Sequence, residues 1–201
     1  MGAENIFVAG VAWIYLAPVG TAAPDGVDGV PMPTAWKNVG MFSPESLNWK
    51  TDPKFEDIKA HQAKKSVRKI QTDDSADLEA DLLEWSLESF RAVFGGGSIE
   101  EITPTGGVGS KYYKFVPPDL GAREEVAVCV EIKDGTRMLR RIIPRAMQTA
   151  GVEQKLDKTN ASTLPLRMSV LGNEIGADSY DLLGIGFASA FAPPASGGGG
   201  G

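Results

Sequence analysis

The dipeptide Asp134-Gly135 stands between two strand-forming runs, Val126 to Lys133 and Thr136 to Ile143. A two-residue Asp-Gly loop supplies the positive φ angles of a tight turn whose twist matches that of antiparallel strands. This part of the chain is therefore committed to a β-hairpin. Pro144 follows at once and has no N–H to give a ladder, so it is expected at a bulge or an edge. Other short runs repeat the pattern. Ile6 to Val19 reads as a buried strand, too short for the roughly 20 residues a bilayer span needs. Trp36 to Phe42, Ser46 to Lys50, Val67 to Thr72, Lys111 to Val116, Val152 to Leu156 and Leu164 to Leu171 read as further strands, and Phe55 to Ala60 as an untidy one. Short strands at such spacing predict a mainly β domain.

The stretch Ser75 to Phe94 fits two templates. Leu78, Leu82 and Trp85 fall at i, i+4, i+7, which is helical spacing. Asp77, Glu79 and Asp81 also alternate with Leu78, Ala80 and Leu82, which is a half-buried strand. Ser86 to Phe94 is helical either way, with Ser86 as N-cap and Gly95-Gly96-Gly97 as the stop. Local signals alone favour one continuous helix.

Composition narrows function mostly by exclusion. The 201 residues include 20 Lys and Arg against 26 Asp and Glu, a net charge of −6. Such a chain lacks the basic block that grips nucleic acid through its phosphates. One His and one Cys leave no Cys/His zinc site or disulfide framework. His61 is alone, and Cys129 reads as a small buried hydrophobe. The run Thr105 to Lys111 fails the phosphate-loop pattern, since Lys111 precedes Tyr112 rather than Ser or Thr. Asp25 and Asp28 lack the spacing of a calcium loop and read as turn residues. No enzyme, cofactor or metal is expected. Charge is uneven along the chain: residues 43–110 carry 13 acidic and 8 basic side chains, and residues 111–150 carry 5 acidic and 8 basic. Solvated faces account for this, and so does head-to-tail association of identical subunits. Residues 18–35 form a long Pro/Gly/Ala-rich loop. Residues 183–201 read as a flexible Gly/Ala/Pro-rich tail ending in five glycines.

The order of several weak landmarks resembles a known family. An apolar first strand ends in Ala17-Pro18-Val19-Gly20-Thr21-Ala22-Ala23-Pro24, and Trp36 to Gly40 follows. Then come Ile58-Lys59-Ala60-His61-Gln62, Val67-Arg68, Leu78 to Trp85 running into a glycine-closed helix, and Ile142-Ile143-Pro144-Arg145-Ala146. Together, over residues 5–172, these resemble the major tail tube protein of long, non-contractile-tailed phages (siphovirus type) that infect actinobacteria. The resemblance implies a β-sandwich or rolled sheet with one helix at its side. It also implies six-subunit rings with a β-lined channel, stacked into a tube that carries DNA during ejection. The tape-measure protein, tail terminator and baseplate or tip proteins are the implied partners, with transient DNA passage and no membrane. The place is the virion tail, after assembly in the host cytoplasm.

On this resemblance residues 75–84 become a strand and the helix begins near Ser86. The domain spans residues 1–182, and the tail 183–201. Asp77, Glu79 and Asp81 become candidate channel-lining residues, six copies of which make a negative wall; the outside of the tube is their other possible place. Leu78, Leu82, Trp85, Phe90 and Phe94 are the candidate helix-side core. Pro24, Asp25, Val27 and Asp28 in the 18–35 loop are candidate inter-ring contacts, a plain linker being the other reading. A monomeric β-sandwich module binding carbohydrate or a receptor is the competing function, with Tyr112-Tyr113 as its only local aromatic platform.

Overall fold

The computed structural model describes residues 7–24, 32–62, 64–104, 109–154, 156, 161–172 and 180–185. Ten strands and one helix follow in the order β1 (Val11–Pro18), β2 (Lys37–Asn38), β3 (Asn48–Ile58), β4 (Arg68–Leu82), α1 (Leu87–Phe94), β5 (Ser98–Ile102), β6 (Tyr112–Val116), β7 (Glu125–Asp134), β8 (Arg137–Gln148), β9 (Leu164–Val170) and β10 (Asp181–Ile185). The main sheet is antiparallel, in the order β2-β1-β7-β8-β9-β4-β3, with β10 beside β8. β5 and β6 form a separate hairpin.

The sheet rolls up and closes through residues 37–43. Val39 donates its N–H to Ile14 O of β1, while Ser43 donates to Asp81 O of β4 and Leu83 donates to Met41 O. One short segment thus ties together strands that lie far apart in the sheet order. The roll encloses one core of Ile14, Leu78, Ala80, Leu82, Val128, Val130, Ile143, Leu164, Leu166 and Met168, with Ala92 and Val93 of α1 against it. This is the expected mainly β architecture, a sandwich or rolled sheet with one helix at its side.

The Asp134-Gly135 hairpin is formed by β7 and β8. The register shifts between Val126 and Val128, opposite Pro144 and Arg145, so Pro144 sits at a bulge. The ambiguous segment resolves into both templates in turn. β4 buries Ala76, Leu78, Ala80 and Leu82 and leaves Asp77, Glu79 and Asp81 on the other face. Ser86, in extended conformation, accepts the Ser89 N–H at 3.1 Å and starts α1. The Ser89 hydroxyl donates to Val39 O at 2.9 Å and is fully buried. Gly95 ends the helix at φ +72°, and Gly97 at φ +106° lies so close to Val116 O that a Cβ would clash.

Several expectations change. Trp36 to Phe42 holds only the two-residue β2 and a bridge at Phe42, because this segment hydrogen-bonds to two different strands in turn. Ser46 to Lys50 and Phe55 to Ala60 belong largely to one long strand, β3, and Val67 to Thr72 runs on into β4. Val152 is not in a strand, although it packs on the core. β10 crosses the expected boundary at 182/183, so sheet pairing reaches Ile185. Among the core candidates, Leu78 and Leu82 are buried, and Phe90 and Phe94 are half-buried against the core. Trp85 is not core. It is 44 % exposed, with its indole N–H donated to Ser162 O and its ring edge-on to Phe90. The helical template that placed it inside ends at the strand.

Candidate functional site

Two surfaces stand out. The first is the outward face of β4. Direct cross-strand pairing puts Asp73, Asp77, Glu79 and Asp81 of β4 on one face with Lys50, Asp52 and Lys54 of β3 and Arg167 of β9. Five carboxylates therefore meet three cations. Arg167 donates to Asp81 Oδ1 at 2.8 Å and to Ala80 O at 2.8 Å, and its Nε lies 4.0 Å from Glu79. Ser169 donates to Asp77 Oδ1 at 2.6 Å, and Lys54 pairs with Asp73 at 3.3 Å. The acidic row is thus brought together on one face, as expected, but Arg167 offsets part of its charge. Sequence reading missed Arg167 because its place beside Glu79 depends on the β4–β9 register.

The second surface is the far half of the β3–β4 hairpin. β9 pairs with β4 only from Asp77 to Leu82. Beyond that point, among the described residues, Arg68–Ala76 and Thr51–Ile58 pair only with each other. The ribbon reaches about 20 Å from Asp52 to Ile58 at the usual strand rise. Its residues are exposed on both faces from Thr51 to Ile58 and from Arg68 to Asp74. Phe55, Ile58, Val67 and Ile70 are all among the exposed large apolar side chains. His61 sits exposed at the tip.

The charge asymmetry is largely consumed inside the subunit. Of the basic residues in 111–150, Lys111 and Lys114 pair with Glu101 and Glu100 across β5–β6. Arg137 pairs with Asp134, Arg140 with Glu131 in the interior, and Arg145 with Glu125 through two hydrogen bonds of 2.6 and 2.8 Å. The Arg145 guanidinium holds the Glu125 carboxyl below its ordinary range.

The remaining candidates carry little chemistry. Tyr112 and Tyr113 are both exposed, but consecutive strand residues point to opposite faces, so they make no single platform. Tyr113 also donates its hydroxyl to Glu101. Pro24 is buried within its own subunit, while Asp25, Val27 and Asp28 lie outside the described residues. Gly109 and Ser110 lead into β6 rather than a helix. Burial pushes the Cys129 thiol up to about 12. Among the described residues no group of three or more His, Cys, Asp or Glu is placed to hold a metal, and no helix is long and apolar enough to cross a membrane.

A search of curated proteins finds no match to the chain. The model of a family described as phage tail tube protein matches residues 1–185, which is most of the chain and includes every strand described here. The chain belongs to the phage tail tube protein family, a membership that supports a structural role in the virion.

Proposed function

We propose that the protein assembles with itself into the tube of a long, non-contractile phage tail. Six subunits form a ring, rings stack, and the resulting channel conducts DNA during ejection. The observation that carries this reading is the projecting β3–β4 ribbon. A two-stranded hairpin with both faces in water is marginally stable by itself. This one also leaves Phe55, Ile58, Val67 and Ile70 exposed. Burying one such side chain fully is worth roughly 1.5–3 kcal/mol. A second copy of the chain supplies the missing cover, and a contact between unlike surfaces propagates into rings or filaments.

The face of Asp77, Glu79 and Asp81 suits the channel wall. DNA adheres wherever cations neutralise its phosphates, and an excess of carboxylates prevents that. Arg167 keeps the excess small enough for the face to be stable. The tape-measure protein inside, the terminator at one end and the baseplate or tip at the other complete the assembly, which takes place in the cytoplasm of an actinobacterial host. Residues 18–35 reach between rings.

Shortening the ribbon tests the reading. Joining Thr51 to Ala76, which are cross-strand partners, through Asn-Gly keeps the rest of β3 and β4 paired. Sedimentation velocity over a concentration series is expected to show large assemblies for the full chain and folded monomers for the shortened one. Equal assembly of both chains would overturn the role given to the ribbon.

A further inference from the structure

Among the basic residues of 111–150, Arg141 is set apart by its surroundings. Arg141 projects from β8 into a groove of about 1060 Å³ at the mouth of the roll, walled by Val11, Trp13, Leu47, Trp49, Leu139 and Leu83. Its guanidinium lies 3.9 Å from the Trp49 ring centroid and 5.7 Å from that of Tyr180. Its Nη1 is buried and has no hydrogen-bond partner among the described residues. No ion pair of the described residues includes Arg141, and burial pushes its pKa down from the ordinary value. The two carboxylates on the groove wall are Glu45 and Glu84, and Glu84 accepts the Met41 N–H. A buried donor without an acceptor is costly, and more so on a charged group. The groove is therefore complementary to an apolar segment that carries one carboxylate.

The ribbon presents such a segment. Register places Glu56 directly opposite Ile70, and Ile58 directly opposite Arg68, on one face, so the apolar pair carries one carboxylate for Arg141 and, at its outer end, one cation for the Glu45 and Glu84 side of the groove. Glu56 forms no ion pair among the described residues, in contrast to Asp57, which pairs with Lys69, and Asp73, which pairs with Lys54. We propose that the Glu56–Ile58–Ile70 face of one copy docks in the Trp49–Arg141 groove of a second copy, with the Glu56 carboxylate on the Arg141 guanidinium. The inference rests on the self-assembly reading and supplies the acceptor for its ribbon. The contact joins unlike surfaces, so each copy keeps a free ribbon at one side and a free groove at the other. That is the geometry of an open chain or a closed ring.

A charge exchange tests it in the full chain. Glu56→Arg and Arg141→Glu, each alone, are expected to raise the concentration needed for assembly at least about tenfold, since like charges meet in the contact. The double variant is expected to return it to within about threefold of the original. Thermal melts establish that each variant folds. Cross-linking gives a second readout that leaves Arg141 intact. A Glu56→Cys chain mixed with a Met41→Cys chain is expected to form a disulfide dimer on mild oxidation, while either chain alone is not; Met41 lies on the groove rim and is exposed. Absence of both rescue and cross-link, with assembly still lost in the shortened-ribbon chain, would overturn this acceptor and leave self-assembly standing. Assembly by the shortened-ribbon chain would overturn both.

Discussion

Arg167→Ala removes the cation that pairs with Asp81 and lies beside Glu79 in the acidic row, and the structure sets the cost. The substitution deletes an ion pair of 2.8 Å with Asp81 and a hydrogen bond of 2.8 Å to Ala80 O. A partly exposed ion pair of this kind contributes up to about 1 kcal/mol, and the hydrogen bond about 1 more. Alternate residues on a strand lie about 7 Å apart. Two carboxylates at that spacing repel by roughly 0.6 kcal/mol in bulk water and about 2.4 kcal/mol at an effective dielectric of 20. Arg167 offsets that repulsion between Glu79 and Asp81. Because these side chains are about one-third exposed, the repulsion belongs near the lower figure. The expected loss is therefore about 2–3 kcal/mol. In a domain of this size that lowers Tm by roughly 5–10 °C. Urea unfolding at low salt and at 1 M NaCl separates the parts. The Debye length at 1 M is about 3 Å, so the charge-dependent part should disappear while the lost hydrogen bond remains. A loss below about 0.5 kcal/mol, or one that salt leaves unchanged, would refute the view that Arg167 stabilises an otherwise repulsive row.

The other predictions concern the core, the thiol and the channel face. Leu82→Ala is expected to cost about 3–4 kcal/mol in denaturant unfolding, because Leu82 is fully buried. Trp85→Ala is expected to cost only about 1–2 kcal/mol, since Trp85 contributes one hydrogen bond and one ring contact at the surface. Cys129 should resist maleimide labelling in the folded chain at pH 8, its thiol being buried and neutral until about pH 12, and react at once in urea. Phage carrying Lys at 77, 79 and 81 together are expected to assemble tails but release DNA slowly, as followed by receptor-triggered ejection; release at the normal rate would remove the channel-wall role.

What was readable from sequence was whatever rests on neighbouring residues. The Asp134-Gly135 turn, the Ser86 cap and the Gly95 stop each act within a few residues, and each appears where its chemistry predicts. The segment Ser75 to Phe94 shows the limit of such reading. Both its helical and its alternating pattern match locally, with the helix slightly favoured, and only pairing with β3 and β9 selects the strand. The same cause hid Arg167, which lies 86 residues from Asp81 in sequence and beside it in space. Arg141 escaped notice for another reason. Its neighbours in the basic stretch look alike in sequence, and only the fold shows that Arg137, Arg140 and Arg145 have carboxylate partners. The projecting ribbon was broken into three short strands because Pro53 and the register shift at Lys54/Phe55 interrupt the alternation of β3. An edge strand tolerates both, since neither needs a second hydrogen-bonding neighbour.

Self-assembly is the central claim, and negative-stain electron microscopy of the purified full chain over a concentration series tests it most directly. The account predicts six-fold rings with an open centre at low concentration and hollow tubes of uniform diameter at high concentration. Compact monomers at every concentration, with or without a tail-tip complex added as initiator, would contradict it.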